Sequence, residues 1–387
     1  MRAADPTPGH EPAQADEGIA PERGGQPERG RTLRALYFGT YERGYPRNAQ
    51  VISALRRAGV AVSERHVAVW DGREHKWEAG IGAVPRLVLA QARLLRRREA
   101  AFDVIVVGYP GHLDLPAARR AARGRPLVFN PLVSLHDTLV EDRRRFRPGS
   151  PAARLLALID RRALRSADVV VADTQADADF LAALAGLPTE RVRVCFVGAE
   201  ERLFAPGWVP REPFTALFVG KLIPLHGVET VLAAARAAPE LGLKVVGSGQ
   251  LEPLLGERPP NVEWTPWVEY ERLPAELHRA GCALGIFGTS AKASRVIPNK
   301  VFQALACGTP VVTADTPAAR ELLEDGESAL LVPPGDPDAL AEALRRLAAD
   351  AGLARRIGGS GRVVYEERAS EHVLGRRWRG LLEELVA

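Results

Sequence analysis

Residues 214–238 read FTALFVGKLIPLHGVETVLAAARAA. An apolar run ends at Gly220, a loop carrying Lys221, Pro224 and His226 closes at Gly227, and an apolar-periodic segment starts at Val228. Strand, loop, helix start is the unit from which parallel α/β sheets are built. Outward toward the C-terminus the unit repeats, with strands expected at 243–246, 262–264, 283–287, 310–313 and 329–332. Helices are expected at 228–238, 270–280, 298–306, 336–349 and 371–386. Outward toward the N-terminus the pattern breaks at FAPGWVPREP, 204–213, whose three prolines mark a linker. Before it lie strands at 33–38, 60–69, 102–108, 127–130, 168–172 and 193–197, with a helix at 48–58. The run FDVIVVG, 102–108, is apolar throughout, as a strand covered on both faces is. The fold class is therefore α/β, with two halves of parallel sheet joined by a proline-rich hinge.

The length of 387 residues suits two domains, and 46% hydrophobic with 26% charged residues is an ordinary globular composition. No apolar run is long enough to span a bilayer. Residues 1–31, rich in Pro, Gly, Glu and Arg, lack the apolar centre of a signal peptide and read as a disordered leader. A cytoplasmic protein is expected. Cys195, Cys282 and Cys307 are widely spaced, with neither metal-type pairing nor a disulfide framework. Arginines cluster at Arg93, Arg96, Arg97 and Arg98, at Arg143, Arg144, Arg145 and Arg147, and at Arg376, Arg377 and Arg379. Such runs are solvated helix faces or meet anionic lipid. Without interleaved aromatics they do not point to nucleic acid.

Parallel sheets bind ligands beyond the carboxyl ends of their strands. Three post-strand loops of the second half stand out. In 218–227, FVGKLIPLHG, a helix start offers free N–H groups to a diphosphate, flanked by Lys221 and His226. The chain has five lysines against 47 arginines, so a lysine here carries some information; a tight turn with a surface lysine is the alternative. The VVGSG of 245–249 holds Gly247 and Gly249 but no third glycine in register, which counts against a nicotinamide site. In 294–310, SRVIPNKVFQALACGTP, Pro298 suits a first helical turn that carries Asn299 and Lys300 toward a phosphate, with Gln303 one turn on for a ribose. A buried Ala-rich helix capped by Gly308 is the other reading of the same residues. In the first half, GTYERGYPR (39–47) brings Gly39, Arg43 and Arg47 to the end of the first strand. YPGHLD (109–114) brings His112, and NPLVSLHDTLVEDR (130–143) brings His136, Asp137 and Asp142.

In this order and spacing the segments GKLIPLHG, WVEYERLPAELHRAGCALGIF, VIPNKVFQALACGTPVV and ELLEDGESALLVPPGDPDALAEAL resemble family 4 of the retaining glycosyltransferases, glycosyl transferases group 1, from Leu33 to the C-terminus. The resemblance implies the GT-B fold: two Rossmann-like domains with parallel sheets facing across an interdomain cleft. An N-terminal acceptor domain is then expected at 32–205, a linker at 206–213 and a nucleotide-sugar donor domain at 214–370. A final helix, 371–387, is expected to cross back to the first domain. Carried over residue by residue, the resemblance assigns the donor diphosphate to Lys221 and His226, the latter where a second cation is more usual. Lys300 falls on a donor-contacting position in relatives with the same Pro-Asn-Lys. The region of Gly247, Gly249, Trp267 and Val268 holds the nucleobase. Gln303 stands where a glutamate normally binds ribose, the paired glutamate eight residues earlier is Arg295, and Glu321 falls beside another polar position bordering the donor.

The activity so implied is metal-independent transfer of a sugar from a nucleotide sugar, UDP- or GDP-linked, to a hydroxyl acceptor in a glycan, glycolipid or natural product, as in polysaccharide biosynthesis. No metal or other cofactor is expected. Gly39, Arg47, Lys221, His226, Lys300 and Arg295 are the diphosphate candidates. Gly247, Gly249, Trp267, Val268, Asn299, Gln303 and Glu321 are the nucleoside candidates, and His112, His136 and Asp137 the catalytic ones. The alternatives are a catalytically impaired nucleotide-sugar-binding partner subunit and a GT-B-fold nucleotide-sugar epimerase. A basic amphipathic stretch, AVPRLVLAQARLLRRR (83–98), either rests on a membrane or packs on the first sheet.

Overall fold

Residues 32–69, 84–96 and 101–387 are described in this computed structural model. The apolar runs of the first half become six strands, β1 (Arg34–Gly39), β2 (Ala61–His66), β3 (Val104–Val107), β4 (Leu127–Phe129), β5 (Val169–Ala172) and β6 (Val192–Val194). Those of the second become β7 (Thr215–Val219), β8 (Gly242–Val246), β9 (Val262–Thr265), β10 (Cys282–Leu284), β11 (Val311–Ala314) and β12 (Leu330–Val332). Each set forms one parallel sheet, ordered β2-β1-β3-β4-β5-β6 and β12-β11-β10-β7-β8-β9. All four side chains of β3 are completely buried. Each contributes about 1.5–3 kcal/mol of hydrophobic stabilisation, which explains a strand without a polar face.

Parallel neighbours require crossovers, and helices supply most of them: α1 (Pro46–Arg57), α2 (Val84–Arg96), α3 (Leu115–Ala122), α4 (Pro151–Ser166), α5 (Gln175–Ala185), α6 (Val228–Ala237), α7 (Leu273–Arg279), α8 (Asn299–Cys307), α9 (Pro317–Arg320), α10 (Pro337–Ala349), α11 (Ala351–Arg368) and α12 (Glu371–Val386). Side-chain oxygens of Ser150, Thr174, Asp336, Asp350 and Ser370 accept backbone N–H bonds that cap α4, α5, α10, α11 and α12. Helix α12 buries Leu374, Trp378 and Leu382, and Arg379 donates to the Ala58 carbonyl at the end of α1 (2.9 Å). The last helix thus lies on the first half of the chain.

Strand order reverses between β1 and β3 in one sheet and between β7 and β10 in the other. At such a reversal the crossovers leave in opposite directions and open a crevice beyond the strand ends. The four loops that follow these strands carry Arg43, His112, Lys221, His226 and Arg295, and Gly39 ends β1. The leader expected at 1–31 lies outside the described residues, as do Ala83, Arg97 and Arg98 of the amphipathic stretch. No helix among the described residues is long and apolar enough to cross a membrane.

Candidate functional site

The second half builds its crevice by zipping two post-strand loops together. Gly220 N–H donates to Val246 O and Leu222 N–H to Ser248 O, both at 2.9 Å, continuing the β7–β8 register past the strand ends. Gly247 permits this: its φ is +148°, and a Cβ there would lie 1.9 Å from the Gly220 carbonyl oxygen. Gly249 packs similarly on the Leu222 backbone. Both glycines therefore shape the loop through main-chain contact.

Lys300 enters this crevice from the first turn of α8. Its ammonium lies 3.5 Å from the centroid of the Phe218 ring, is buried, and makes no hydrogen bond among the described residues. A Cβ on Gly220 would sit 3.6 Å from that nitrogen and 3.1 Å from the His226 ring, so both basic groups face the turn after β7. Burial holds Lys300 well below the usual lysine range. His226 Nδ1–H donates to the Lys221 carbonyl (2.6 Å). Burial, and then the Lys300 charge, hold His226 well below the ordinary imidazole value. The same burial thus disfavours the charged form of both basic groups that face this turn. Lys221 itself is exposed at the mouth of the loop. Asn299 opens α8 beside Lys300, half-buried.

From the first half, a single π-helical turn, Asp137–Asp142, meets the two loops that follow β7 and β10. Arg295 pairs with Asp137 at 2.9 Å and lies over the Phe180 ring. Lys292, also buried, donates to Thr138 Oγ1 at 2.7 Å, and Leu225 N–H donates to Asp142 Oδ1 at 3.0 Å. Asp137, expected to act in catalysis, and Arg295, expected at the diphosphate, are therefore partners in an ion pair between the halves. Asp160 of α4 fixes this segment: its carboxylate accepts from Ser134 Oγ, Leu135 N–H and His136 N–H at 2.7–2.9 Å, and lies 3.3 Å from His112 Nε2.

Other candidates fall into tighter contexts than their sequence positions suggest. Arg47 is completely buried, donating to Asn130 Oδ1 and to the carbonyls of Cys195 and Phe196 at 2.9–3.0 Å. Three oxygens thus hold Nε and Nη1 in the first domain's core, while Nη2 is buried without a hydrogen bond among the described residues. Arg43 pairs with Glu64 at 3.2 Å. Gly39 ends β1 against the Asp114 carboxylate. His112 is buried on Phe129, one nitrogen against the Pro110 carbonyl and the other against Asp160. Burial lowers its pKa against the opposing pull of Asp160, and the ring is locked, not poised over the crevice. The His136 ring is half-buried. Gln303 is buried and donates to Tyr270 Oη at 3.2 Å. Glu321 accepts from Gln175 N–H and Ala176 N–H at 2.6 and 2.8 Å, capping α5 across the interface and leaving it engaged there instead of open to a nucleoside. Val268 is half-buried against the core, while Trp267 is 65% exposed.

Sequence reasoning passed over Lys292, Asp160, Asp173 and Asp177, and read Arg143 only as part of a basic run. Lys292 carried a usable signal, being one of five lysines and lying in a loop after a strand. Cys195, Cys282 and Cys307 are buried free thiols whose pKa values burial pushes up, Cys195 to about 11. Among the described residues no three His, Cys, Asp or Glu side chains are grouped to hold a metal ion.

Two protein-family models match this architecture half by half: glycosyl transferase 4-like domain over residues 23–198, and glycosyl transferases group 1 over residues 213–350. The chain is 28% identical to D-inositol 3-phosphate glycosyltransferase 1 of Catenulispora acidiphila over 85% of this chain and 80% of that protein. Four further relatives named D-inositol 3-phosphate glycosyltransferase are matched over 52–69% of their length. Among solved structures, sucrose-phosphate synthase from Thermosynechococcus elongatus superposes with a TM-score of 0.72 at 19% identity, covering 92% of this chain and 99% of that one. The Anabaena protein HepE in complex with UDP-glucose superposes with a TM-score of 0.64 at 17% identity, covering 92% and 100%. The shared fold is GT-B.

Proposed function

The chain belongs to the group 1 glycosyltransferases, and from that premise we propose that it is a retaining enzyme that moves a sugar from a nucleotide diphosphate to a hydroxyl acceptor without a metal ion. The observation that carries this reading is the Lys300 ammonium, buried over Phe218 at the strand-order reversal of the second sheet and lacking a hydrogen-bond partner. A buried cation of this kind is stabilised by an anionic ligand, and a crevice beside a helix start suits a diphosphate. When the sugar–phosphate bond breaks, the electron pair stays on the diphosphate. In this reading Lys300, Lys221 and the first turn of α8 stabilise that charge. The departing phosphate oxygen takes the acceptor's proton, so no separate general base is required. The UDP-glucose held by the HepE neighbour supports a nucleotide sugar as donor. The names of the relatives make phosphorylated cyclitols the first acceptors to try.

Calorimetry with UDP, GDP, ADP and dTDP, followed by transfer assays with the matching sugars, tests the proposal. Wild type is expected to bind at least one diphosphate and Lys300→Met to lose about tenfold or more of that affinity. Activity is expected to survive EDTA. Equal binding by Lys300→Met would remove the basis of the assignment.

A peripheral membrane contact is part of the same proposal. On α2, Val88, Leu89 and Leu95 are 65%, 50% and 42% exposed beside exposed Arg86, Arg93 and Arg96, while Ala90 and Leu94 face inward. An apolar stripe edged by arginine suits an anionic bilayer surface. Co-sedimentation with phosphatidylglycerol vesicles should fall in a Val88→Ser/Leu89→Ser variant. Absence of wild-type binding would discard the contact.

A further inference from the structure

Arg143 follows the π-helical turn of the first half, yet its surroundings belong to the second. The Gln250 amide, in the loop after β8, donates to the Arg143 carbonyl at 3.4 Å. The preceding residue, Asp142, is buried and ties three groups together: Oδ1 accepts Leu225 N–H, while Oδ2 lies 3.5 Å from Arg143 Nε and 3.9 Å from Lys292 Nζ. Arg143 is therefore held between the two loops that the β7–β8 register zips together. Its Nε is buried without a hydrogen bond among the described residues, and 20% of the side chain stays accessible. Through Asp142, Arg143 and Lys292 are tied to Leu225, the residue before His226, and Lys300 faces the same loop at Gly220. Lys292 is answered by Asp142, Asp137 and Asp177, but among the described residues no carboxylate pairs with Lys300, which suits an anionic ligand there.

We propose that Arg143 is a catalytic residue contributed by the acceptor half, contacting the leaving diphosphate opposite Lys300 so that the anion site is complete only when the two halves are together. This rests on the transferase reading above and adds a residue to it. As the bond from the anomeric carbon to the β-phosphate oxygen breaks, its electron pair adds negative charge to the diphosphate. A guanidinium fork matches that group geometrically as well as electrostatically. Interactions that strengthen as charge develops raise kcat more than they lower KM.

The test compares Arg143→Gln, Arg143→Lys and, as a control for loss of one surface charge, Arg144→Gln in the full chain. Melting curves accompany each variant to establish that it folds. Arg143→Gln is expected to lower kcat about 100-fold. It should weaken pyrophosphate and the cognate nucleoside diphosphate about tenfold, with the monophosphate unchanged. Arg143→Lys should recover part of both effects, and Arg144→Gln should match wild type. Arg143→Gln within twofold of wild type in kcat and diphosphate affinity would overturn the proposal alone, as would an equal loss in Arg144→Gln. A wild-type protein that binds neither pyrophosphate nor any of the four diphosphates would overturn both this and the transferase reading.

Discussion

An ammonium group deep in a protein keeps its proton only while something negative or polarizable answers it. Lys300 has the Phe218 face, worth about 0.5–2 kcal/mol, against the larger cost of an unpaired buried charge. Burial accordingly lowers its pKa well below 10.5. Linkage then gives two pH effects of opposite sign. Between the lowered value and 10.5 the unfolded chain binds more protons than the native protein, so the stability of the free enzyme rises with pH in that window. A bound diphosphate restores the higher pKa, so over the same window binding takes up a proton and affinity falls as pH rises. Calorimetry of the cognate diphosphate in HEPES and Tris should reveal the uptake through the different ionisation heats of the buffers. Lys300→Met should abolish the uptake and melt about 2 °C or more higher without ligand. Equal heats in both buffers across pH 7–10 would contradict this assignment of charge.

Among the elements, α4 matters most to the crevice because it carries Asp160. Three hydrogen bonds and the neighbouring His112 ring converge on that carboxylate. Asp160→Asn replaces one accepting oxygen with a donor and should cost about 2–3 kcal/mol. Hydrogen exchange should rise specifically over residues 134–142; faster exchange spread evenly over the first half would instead indicate general destabilisation. Little of this was legible in the sequence, although the sheets were. The strands announced themselves as apolar runs such as FDVIVVG, and ends-of-strand logic led to Lys221 and Lys300. Helix α11, AGLARRIGGSGRVVYEER, escaped notice because its glycines weaken the helical signal. One of them, Gly358, is required by packing: a Cβ there would lie 2.3 Å from the Gly308 carbonyl oxygen. The partners of Asp142, Lys292 and Glu321 lie 83, 154 and 146 residues away, beyond any local pattern. Arg47 reads like any other arginine after a strand, and only burial beneath three acceptors distinguishes it from one facing a ligand.

At the scale of the whole molecule, charged and polar contacts join the two halves around the crevice, beside an apolar cluster that spans both. Arg295–Asp137, Lys292–Thr138 and Glu321 on the start of α5 lie near two further buried carboxylates, Asp173 and Asp177, each with an oxygen that lacks a hydrogen bond among the described residues. Asp173 is faced by Arg47 from α1, Asp177 from α5, Glu321 after α9 and Lys292 from the loop after β10. Burial pushes Asp173 up to about 6 despite the opposing Arg47 charge, and Asp177, raised by burial and by Asp173, moves in the same direction. An acid with a raised native pKa holds a proton that the unfolded chain has released. Stability from this group is therefore full below the unfolded value near 4 and is lost as pH climbs to about 6. Separating the halves would hydrate both carboxylates and return them toward ordinary values, so the same proton favours the closed arrangement. Asp173→Asn imitates the protonated form at every pH. Its melting temperature should match wild type near pH 4, exceed it progressively between pH 4 and 6, and stay above it by a constant margin at neutral pH. If the difference between the two melting curves were flat across that range, the buried carboxylates would not be what links proton concentration to domain closure.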